Sequence, residues 1–326
     1  MPTGDIGIDM GTRSSLVFST GRGMILDEPT VAVYDRNAER IRAIGEEARS
    51  MIGHVSSGLE LIWPIRQGVI VDYIVLEKMM RTFIGRAMGR HAFLKPRISI
   101  CVPFSITEIG RKALTEAAYQ AGARKVCLVE SPVAAAIGAG LDVSRPYGNL
   151  VLDIGAGASS AAVISMAGIV VSASVKTGGD SFDEAIMSYI RKNHNLFIGL
   201  DMAEDIKKRV GCAAAGAHDR SMEIKGRNVV TGLPKTIVLT SEEVCTAVND
   251  VACQISDMVH TILEKTPPEL TADIVDRGIL LTGGGALLRG MDKFIEQKTG
   301  VSAMTASQPL LAAVIGTGKY AGTVNA

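Results

Sequence analysis

The chain has 326 residues, of which 47% are apolar and only 4% aromatic, so it is long enough for two lobes with mainly aliphatic cores. Lys and Arg total 34, and so do Asp and Glu, so the balanced charge gives no electrostatic reason to expect a nucleic-acid partner. The five cysteines lack metal-ligand spacing, which favours reduced thiols, and no apolar stretch reaches the ~18 residues that a transmembrane helix needs.

The first half of the chain is predicted to alternate strands and helices. Glycine and proline separate short apolar runs near the N-terminus, which is typical of strands. A capping-box pattern, Ser105-Ile106-Thr107-Glu108, favours a helix start at about residue 106. The predicted elements are, in order, three strands within 4–35, a mixed polar segment over 36–65, a helix over 76–88, a strand over 98–102, a helix over 106–121 and a strand over 125–129.

The second half shows the same alternation. Thr240-Ser241-Glu242-Glu243 is another capping box and predicts the start of a long helix. The predicted elements are, in order, a strand–turn–strand unit over 149–165, helices over 178–193 and 202–210, a hairpin over 224–239, a helix over 240–264, a short helix after Pro268, a strand over 278–281 and a helix over 287–298. This alternation predicts α/β lobes in which helices pack on mixed sheets.

One stretch of the second half carries most of the functional signal: Asp153-Ile154-Gly155-Ala156-Gly157-Ala158-Ser159-Ser160. It lies between two apolar runs and predicts a hairpin whose tight turn holds a carboxylate and small residues. Glycines let backbone N–H groups approach an anion, and an aspartate at a strand end can hold hydrated Mg²⁺. Because any tight hairpin favours Gly and Ser, a purely structural bend is the better explanation of this turn taken alone.

A second copy near the N-terminus strengthens the ligand interpretation. Gly7-Ile8-Asp9-Met10-Gly11-Thr12-Arg13-Ser14-Ser15 also places Asp-apolar-Gly at the end of an apolar strand and Ser-Ser before the next. The wide separation of the copies indicates a duplicated half-molecule, and we expect the two hairpins to face each other and grip one phosphate chain. A third cluster, Thr282-Gly283-Gly284-Gly285-Ala286, follows an apolar strand and has no bulky side chain that would clash with a nucleotide.

Three such clusters in this order resemble the actin, sugar-kinase and heat-shock-chaperone superfamily, and within it the bacterial MreB family. The resemblance covers nearly the whole chain. Further matching motifs are Cys101–Pro103, Pro132–Leu141, Asp183–Ile186, Thr231–Lys235, Leu263–Leu270 and Asp276–Gly290. It implies an α/β, actin-like fold of two duplicated lobes, each with a mixed sheet flanked by helices. The implied boundaries are 1–32, 66–138 and 310–326 for the core of lobe I, 33–65 for its inserted subdomain, 139–178 and 252–309 for the core of lobe II, and 179–251 for its inserted subdomain.

The resemblance also implies that ATP and Mg²⁺ bind to these clusters. Asp9 and Asp153 would organise Mg²⁺ through its water ligands. The implied phosphate loops are Thr12-Arg13-Ser14 and Gly155-Ala156-Gly157-Ala158, and the implied neighbours of the nucleoside are Gly283, Gly284, Gly285, Ala286, Glu204 and Lys207. The pair Glu204 and Lys207 is spaced i,i+3 on a predicted helix, so a surface salt bridge is an alternative explanation for it.

Several positions depart from the family pattern. The family has a water-positioning glutamate where this chain has Ser131, with Glu130 one residue earlier. Ser131-Pro132 also suits a helix start, with Ser131 as the N-cap and Pro132 as the first helical residue. A neutral hydroxyl polarises water less well than a carboxylate. General bases contribute ~10²–10⁴-fold in rate, so we expect ATP binding with at most weak hydrolysis. Glu130 is the alternative base, although adjacent residues at a helix start point in different directions. Ala158 lacks the family hydroxyl, and Arg13 either supplies a compensating cation or points to solvent.

A basic loop, Arg90-His91-Ala92-Phe93-Leu94-Lys95-Pro96-Arg97, is a candidate membrane site. Its two large apolar residues, Phe93 and Leu94, lie between cations, which suits shallow insertion among lipids. The alternative is that both side chains fold back onto their own subdomain. The family binds membrane through an apolar pair in this loop, so the resemblance favours insertion, and filament avidity would strengthen weak contacts from single subunits.

The resemblance therefore implies an ATP-binding, actin-like cytoskeletal protein that forms membrane-associated filaments. Its implied role is rod cell-shape determination and guidance of cell-wall synthesis. The implied partners are other copies of the chain, the membrane surface and cell-wall elongation proteins, and the implied location is cytoplasmic, at the inner face of the cell membrane. Two alternatives remain: a hydrolysis-deficient regulatory paralogue in another actin-like filament, and a small-molecule kinase of the same superfamily, which Ser131 and Ala158 disfavour.

Overall fold

The structure is a computed structural model in which the chain divides into two units. The described residues are 5–54, 58–89, 95–103, 106–214 and 220–323, with only the backbone described for 321–323. One unit comprises Met1–Arg145 and Leu310–Ala326, and the other comprises Pro146–Pro309. Within the described ranges, no helix has the length and hydropathy needed to cross a bilayer.

The first unit contains ten strands and four helices before the chain passes to the second unit, as far as the described residues show. They are β1 (Ile6–Met10), β2 (Ser14–Ser19), β3 (Gly23–Pro29), β4 (Ala32–Asp35), β5 (Arg40–Ile44), α1 (Glu46–Ser50), β6 (Leu59–Ile62), β7 (Ile65–Arg66), β8 (Val69–Ile70), α2 (Tyr73–Met88), β9 (Arg97–Val102), α3 (Glu108–Gln120), β10 (Lys125–Glu130) and α4 (Ser131–Gly138).

The second unit continues the alternation, and the last helix returns to the first unit. The elements of the second unit are β11 (Asn149–Ile154), β12 (Ser159–Ser165), β13 (Gly168–Val175), α5 (Gly179–His194), β14 (Leu196–Phe197), α6 (Leu200–Val210), β15 (Ser221–Asn228), β16 (Pro234–Thr240), α7 (Ser241–Lys265), α8 (Pro268–Arg277), β17 (Ile279–Thr282), a 3₁₀ helix (Gly284–Leu287), α9 (Met291–Thr299) and β18 (Ala303–Thr305). The returning helix is α10 (Ala312–Thr323).

Each unit is built on a five-stranded mixed sheet, and the two sheets have the same topology. The strand order is β10-β9-β1-β2-β3 in the first unit and β18-β17-β11-β12-β13 in the second. In both, the first strand is antiparallel to the strand that follows it and parallel to a strand that arrives later. The predicted duplication of two α/β lobes is therefore confirmed.

Each unit also carries a small three-stranded sheet, in the order β5-β4-β6 in the first unit and β14-β15-β16 in the second. The long helix α7 follows the second of these sheets. The capping box predicted for it is confirmed, because the Thr240 hydroxyl accepts from the Glu243 N–H at 3.3 Å and Glu243 accepts from the Thr240 N–H at 2.9 Å. Two aliphatic clusters, one in each unit, form the main cores.

Three local predictions differ from the structure. Residues 5–35 form four strands rather than three, because the chain turns again after Pro29. The cap of α3 is Thr107, whose hydroxyl accepts from the Gly110 N–H at 3.1 Å; Ser105, predicted as the cap, lies outside the described residues. The helix predicted over 287–298 begins only at Met291, since the preceding glycine-rich segment forms a 3₁₀ helix.

Helices α4 and α10 cross at backbone contact distance in the first unit. Glycines make this possible: a Cβ at Gly138 would overlap the Ala312 carbonyl, and a Cβ at Gly316 would overlap the Ala134 carbonyl. Because the obstructing atoms are backbone, no side-chain rotation could relieve the overlap. The crossing therefore tolerates only hydrogen at these two positions.

We expect Gly316→Ala to destabilise the protein by about 3 kcal/mol or more, since an added methyl group must push two helices apart. The matched control is Gly85→Ala in the last turn of α2, where a Cβ would have no heavy atom within 4 Å. Better helix propensity should make that variant up to about 1 kcal/mol more stable than the unchanged protein. Urea unfolding measures both, and equal stability of the two variants would contradict the close crossing.

Candidate functional site

The two aspartate hairpins have the same turn geometry. In the second unit the Gly155 N–H donates to the Ala158 carbonyl at 3.0 Å, and in the first the Gly11 N–H donates to the Ser14 carbonyl at 2.9 Å. Asp153 and Asp9 occupy the same place in their hairpins, one residue before the end of β11 and β1. The sequence repeat is thus also a repeat of backbone hydrogen bonding.

The serine that follows each turn is buried and has a structural partner. Ser159 donates to the Thr177 carbonyl at 2.6 Å, and the Ser15 and Thr30 hydroxyls are 2.9 Å apart. These hydroxyls are therefore engaged inside their own units. With alanine at position 158, the second turn presents mainly backbone N–H groups to a ligand, as a glycine-rich anion site does.

The start of helix α5 holds the second turn in place. The Gly179 N–H donates to the Gly155 carbonyl at 2.9 Å, and the Asp180 N–H donates to the Ala156 carbonyl at 2.8 Å. A Cβ at Gly178 would lie 2.5 Å from the Gly155 oxygen and 2.7 Å from the Ala156 oxygen. The carbonyls of the turn thus face the helix start.

Asp153 lies in a partly buried position with one neutral donor. The Thr282 hydroxyl donates to Asp153 Oδ1 at 3.1 Å. Burial raises the pKa of Asp153 from 3.8 to about 6, and the Thr282 hydrogen bond offsets only part of this rise. A cation beside the carboxylate would relieve the cost of ionising it, so the site fits a hydrated Mg²⁺.

The third glycine cluster lies directly against Asp153. Gly283 has φ +79°, and a Cβ there would lie 2.7 Å from Asp153 Oδ1 and would overlap the Ile154 carbonyl. Gly285 and Ala286 are buried beneath, against the end of β11, whereas Gly284 is exposed. Gly283 and Gly284 therefore offer the surface that a ligand could contact, while the other two act as packing.

Lys207 on α6 is anchored beside the turn. Its ammonium lies 2.8 Å from Asp183 Oδ1 and donates to the Gly179 carbonyl at 2.8 Å. Asp183 is 1% exposed, so this ion pair is largely shielded from water. Glu204 contacts Lys208 on the same helix at 2.7 Å. Lys207 is therefore paired with a carboxylate on α5, a contact that its i,i+3 spacing from Glu204 did not indicate.

The predicted hydrolytic residues are both engaged in structural contacts. Ser131 is the first residue of α4 and donates to the Val102 carbonyl at 3.2 Å; the cap of the helix is Glu130, so the role of Ser131 as N-cap was wrong. Glu130 accepts from Arg111 at 3.1 Å. This ion pair neutralises the carboxylate that could have replaced the family glutamate.

Two features of the site could have been found from the sequence. Thr282 is the first residue of the third glycine cluster, and Asp183 lies in a matching family motif. Spacing in the sequence alone did not show which atoms these two side chains contact. The membrane candidates Phe93 and Leu94 lie outside the described residues. Among the residues that the structure does describe, no three His, Cys, Asp or Glu side chains converge as metal ligands.

Sequence comparison places the chain among bacterial proteins of one kind. The family model described as MreB/Mbl protein matches residues 3–326. The cell shape-determining protein Mbl of Bacillus cereus is 45% identical over 314 residues, which cover 96% of this chain and 94% of that protein. The cell shape-determining protein MreB of Escherichia coli is 42% identical over 325 residues, which cover 98% of this chain and 93% of that protein.

Solved structures are also similar to this chain over nearly its whole length. MreB5 of Spiroplasma citri bound to AMPPNP superposes with a TM-score of 0.92 at 34% identity and covers 99% of this chain and 97% of that one. The ADP-bound form of the same protein gives a TM-score of 0.91. The MamK double helical filament gives a TM-score of 0.82 at 19% identity, which shows a shared fold.

Proposed function

The chain belongs to the MreB/Mbl family, and on that premise we propose that it is an actin-like cytoskeletal protein that binds ATP with Mg²⁺ and polymerises to determine cell shape. The observation that carries the proposal is the aspartate hairpin, which recurs in both units with the same turn hydrogen bond. Its relatives are named for cell-shape determination, and its structural neighbours were solved with ADP and AMPPNP.

In the second unit, we assign the phosphates to the turn at Gly155, Ala156, Gly157 and Ala158. The backbone N–H groups of Ala156, Gly157 and Ala158 would bind them. The Gly155 N–H donates to the Ala158 carbonyl, and the Gly155 and Ala156 carbonyls accept from α5. Asp153 would hold Mg²⁺ through water. Gly283 and Gly284 would contact the nucleoside.

Lys207, placed beside the turn by Asp183, would border the nucleoside together with Glu204. Its ammonium lies 3.5 Å from the position that a Cβ of Gly179 would take, next to the phosphate turn. We propose the same chemical role for the corresponding turn of the first unit, which contains Asp9, Thr12, Arg13 and Ser14. There the Thr12 hydroxyl accepts from the Gly68 N–H at 3.2 Å, which fixes the oxygen and leaves its proton to be donated.

The contacts of Ser131 and Glu130 support the proposal that hydrolysis is weak. The Ser131 hydroxyl donates to a backbone carbonyl and is a poor base. The Glu130 carboxylate is paired with Arg111 and is therefore less able to accept a proton from water. The same contacts are compatible with a hydrolysis-deficient regulatory paralogue, which would bind nucleotide and join another filament. A small-molecule kinase would need a competent base, which disfavours that alternative.

We further propose that the filament lies on the inner face of the cell membrane, through Phe93 and Leu94, and meets cell-wall elongation proteins there. The chemistry of a basic loop with two apolar side chains supports this part of the proposal. Two such side chains bind weakly by themselves, so the filament would supply the avidity. No nucleic-acid partner is proposed.

Negative-stain microscopy with ATP, Mg²⁺ and liposomes tests the proposed function. We expect filaments that need nucleotide and that lie along the lipid surface. The double variant Phe93→Ala with Leu94→Ala should keep its filaments but lose most of its co-sedimentation with liposomes. A chain that stays monomeric alone and joins only the filaments of a relative would establish the paralogue instead, and lipid binding that the double variant retains would exclude the loop.

A further inference from the structure

Two cysteines that lie far apart in sequence meet in the second unit. Cys212 follows the end of α6 and is 0% exposed, and its thiol lies 3.5 Å from the Ser241 carbonyl. That carbonyl belongs to the first turn of α7, one turn before Cys245 on the same helix. The Cys245 thiol is within hydrogen-bonding distance of the Cys212 thiol. None of the five cysteines forms a disulfide in the structure.

We propose that Cys212 and Cys245 are a reversible oxidation site that forms an intramolecular disulfide in the presence of a peroxide. The inference is independent of nucleotide binding. The bridge would join the end of α6 to the start of α7 and close the chain segment that contains β15 and β16. Cysteine pairs in close contact are the usual site of such chemistry in proteins that otherwise keep their thiols reduced.

Exposure gives the two thiols different roles. Cys245 is partly exposed and can meet the oxidant, whereas Cys212 is buried. Burial, and to a smaller extent the neighbouring Cys245, raise the pKa of Cys212 to about 11. The partly exposed Cys245 therefore reacts with the oxidant first, and the buried Cys212 reacts second.

The steps balance without another reagent. The Cys245 thiolate attacks one peroxide oxygen, the O–O bond breaks, and the products are a sulfenic acid and hydroxide, which takes a proton to become water. The Cys212 sulfur then loses its proton, attacks the Cys245 sulfur and forms the S–S bond, while the sulfenic oxygen leaves as a second water. Two thiols are oxidised and one peroxide is reduced to two waters.

Arg289 assists the second step. Its guanidinium donates to the Val210 and Gly211 carbonyls at 3.0 Å and to the Ser241 hydroxyl at 3.1 Å, which places it beside Cys212. The Coulombic effect of Arg289 lowers the pKa of the Cys212 thiol, although burial outweighs it. Arg289 would thus stabilise the Cys212 thiolate as it forms.

Peptide mapping of the full chain under non-reducing conditions tests the proposal. The purified, reduced protein is treated with hydrogen peroxide, alkylated and digested with trypsin. Cys212 is the only cysteine between the cleavage sites at Arg209 and Arg220, whereas Cys245 shares its tryptic peptide with Cys253. The variant Cys253→Ala removes this ambiguity and is also the matched control on the same helix.

We expect a Cys212–Cys245 cross-linked peptide, a loss of two titratable thiols per chain, and a melting temperature that rises by on the order of 5 °C and returns with dithiothreitol. Cys253→Ala should behave like the unchanged protein, and Cys245→Ala should show neither the cross-link nor the rise. Alkylated Cys212 and Cys245 after peroxide treatment, a disulfide between two chains, or Cys245 found only as sulfinic acid would each overturn the proposal.

Discussion

Replacing Asp153 by asparagine should stabilise the nucleotide-free protein and weaken its binding of Mg²⁺ and ATP. The two effects have one cause, because the same partly buried carboxylate that costs free energy when empty is the group that a hydrated cation would neutralise. Since hydrogen bonds to charged groups contribute about 1.5–3 kcal/mol, nucleotide affinity should fall about ten- to hundredfold. Calorimetric titration of Mg²⁺ and ATP measures that change.

The stability effect has a defined pH dependence. The pKa of Asp153 rises from 3.8 to about 6 on folding. The protonated side chain therefore stabilises the folded state fully below pH 3.8, and this stabilisation is lost as the pH rises through about 6. Ionised Asp153 therefore destabilises the empty protein at neutral pH. Each pKa unit corresponds to about 1.4 kcal/mol, and screening at this partly exposed side chain leaves a gain of about 1–2 kcal/mol for the asparagine variant.

Asp142 provides a control, because its pKa is lowered whereas that of Asp153 is raised. Hydrogen bonds from Ser144 and Arg145 hold the pKa of Asp142 below its ordinary value, and the side chain is exposed. Asp142→Asn should therefore leave nucleotide affinity unchanged and should not raise the melting temperature. An Asp153→Asn protein that melts lower than the unchanged protein at neutral pH, or that binds nucleotide equally well, would contradict the proposed role of Asp153.

Ser131→Glu should raise the rate of phosphate release, because it restores a carboxylate at the position where the family has one. General bases contribute about 10²–10⁴-fold, and a newly introduced side chain in an unoptimised setting should reach the lower end of that range. The substitution also removes the hydrogen bond from Ser131 to the Val102 carbonyl, so melting temperatures must accompany the rates. Phosphate release under polymerising conditions is the measurement.

Two variants separate base catalysis from a change of shape. Ser131→Gln has the length of glutamate without its charge and should leave the slow rate unchanged. Glu130→Gln should also have little effect, because Glu130 is committed to Arg111. A protein that already turns over ATP quickly, and that loses this activity through Glu130→Gln, would show that Glu130 has taken over the role of base.

The sequence predicted the fold well where local signals and long-range packing agree. The hairpin at Asp153 and the capping box at Thr240 are examples, since each depends on residues that are close together in the sequence. The duplication was also readable, because both copies keep the same order of aspartate, glycine and paired serines. The structure adds that the repeat extends to the turn hydrogen bonds.

The predictions that differ depend on contacts between distant residues. Helix propensity suggested that Ser131 would cap α4, but the hydroxyl reaches the Val102 carbonyl, 29 residues away. Periodicity likewise could not show that Lys207 is anchored on Asp183, nor that Gly285 and Ala286 are buried beneath the glycine cluster. Such contacts follow from how β9 and α5 are placed in space.

The pairing of Glu130 with Arg111 bears on how the filaments would turn over. If hydrolysis is slow, the chemical step rather than nucleotide exchange would limit how quickly subunits change state. The proposed filaments would then persist longer than those of a rapidly hydrolysing relative. The Ser131→Glu variant should shorten their lifetime in parallel with its faster phosphate release.

The central claim is that this chain binds an adenine nucleotide through its glycine-rich aspartate hairpins. Titration of ATP into the purified, unmodified chain, with Mg²⁺ and again with a chelator, tests it most directly. We predict saturable binding of one nucleotide per chain that weakens strongly when Mg²⁺ is removed. Absence of binding at millimolar nucleotide in the presence of Mg²⁺ would contradict the account.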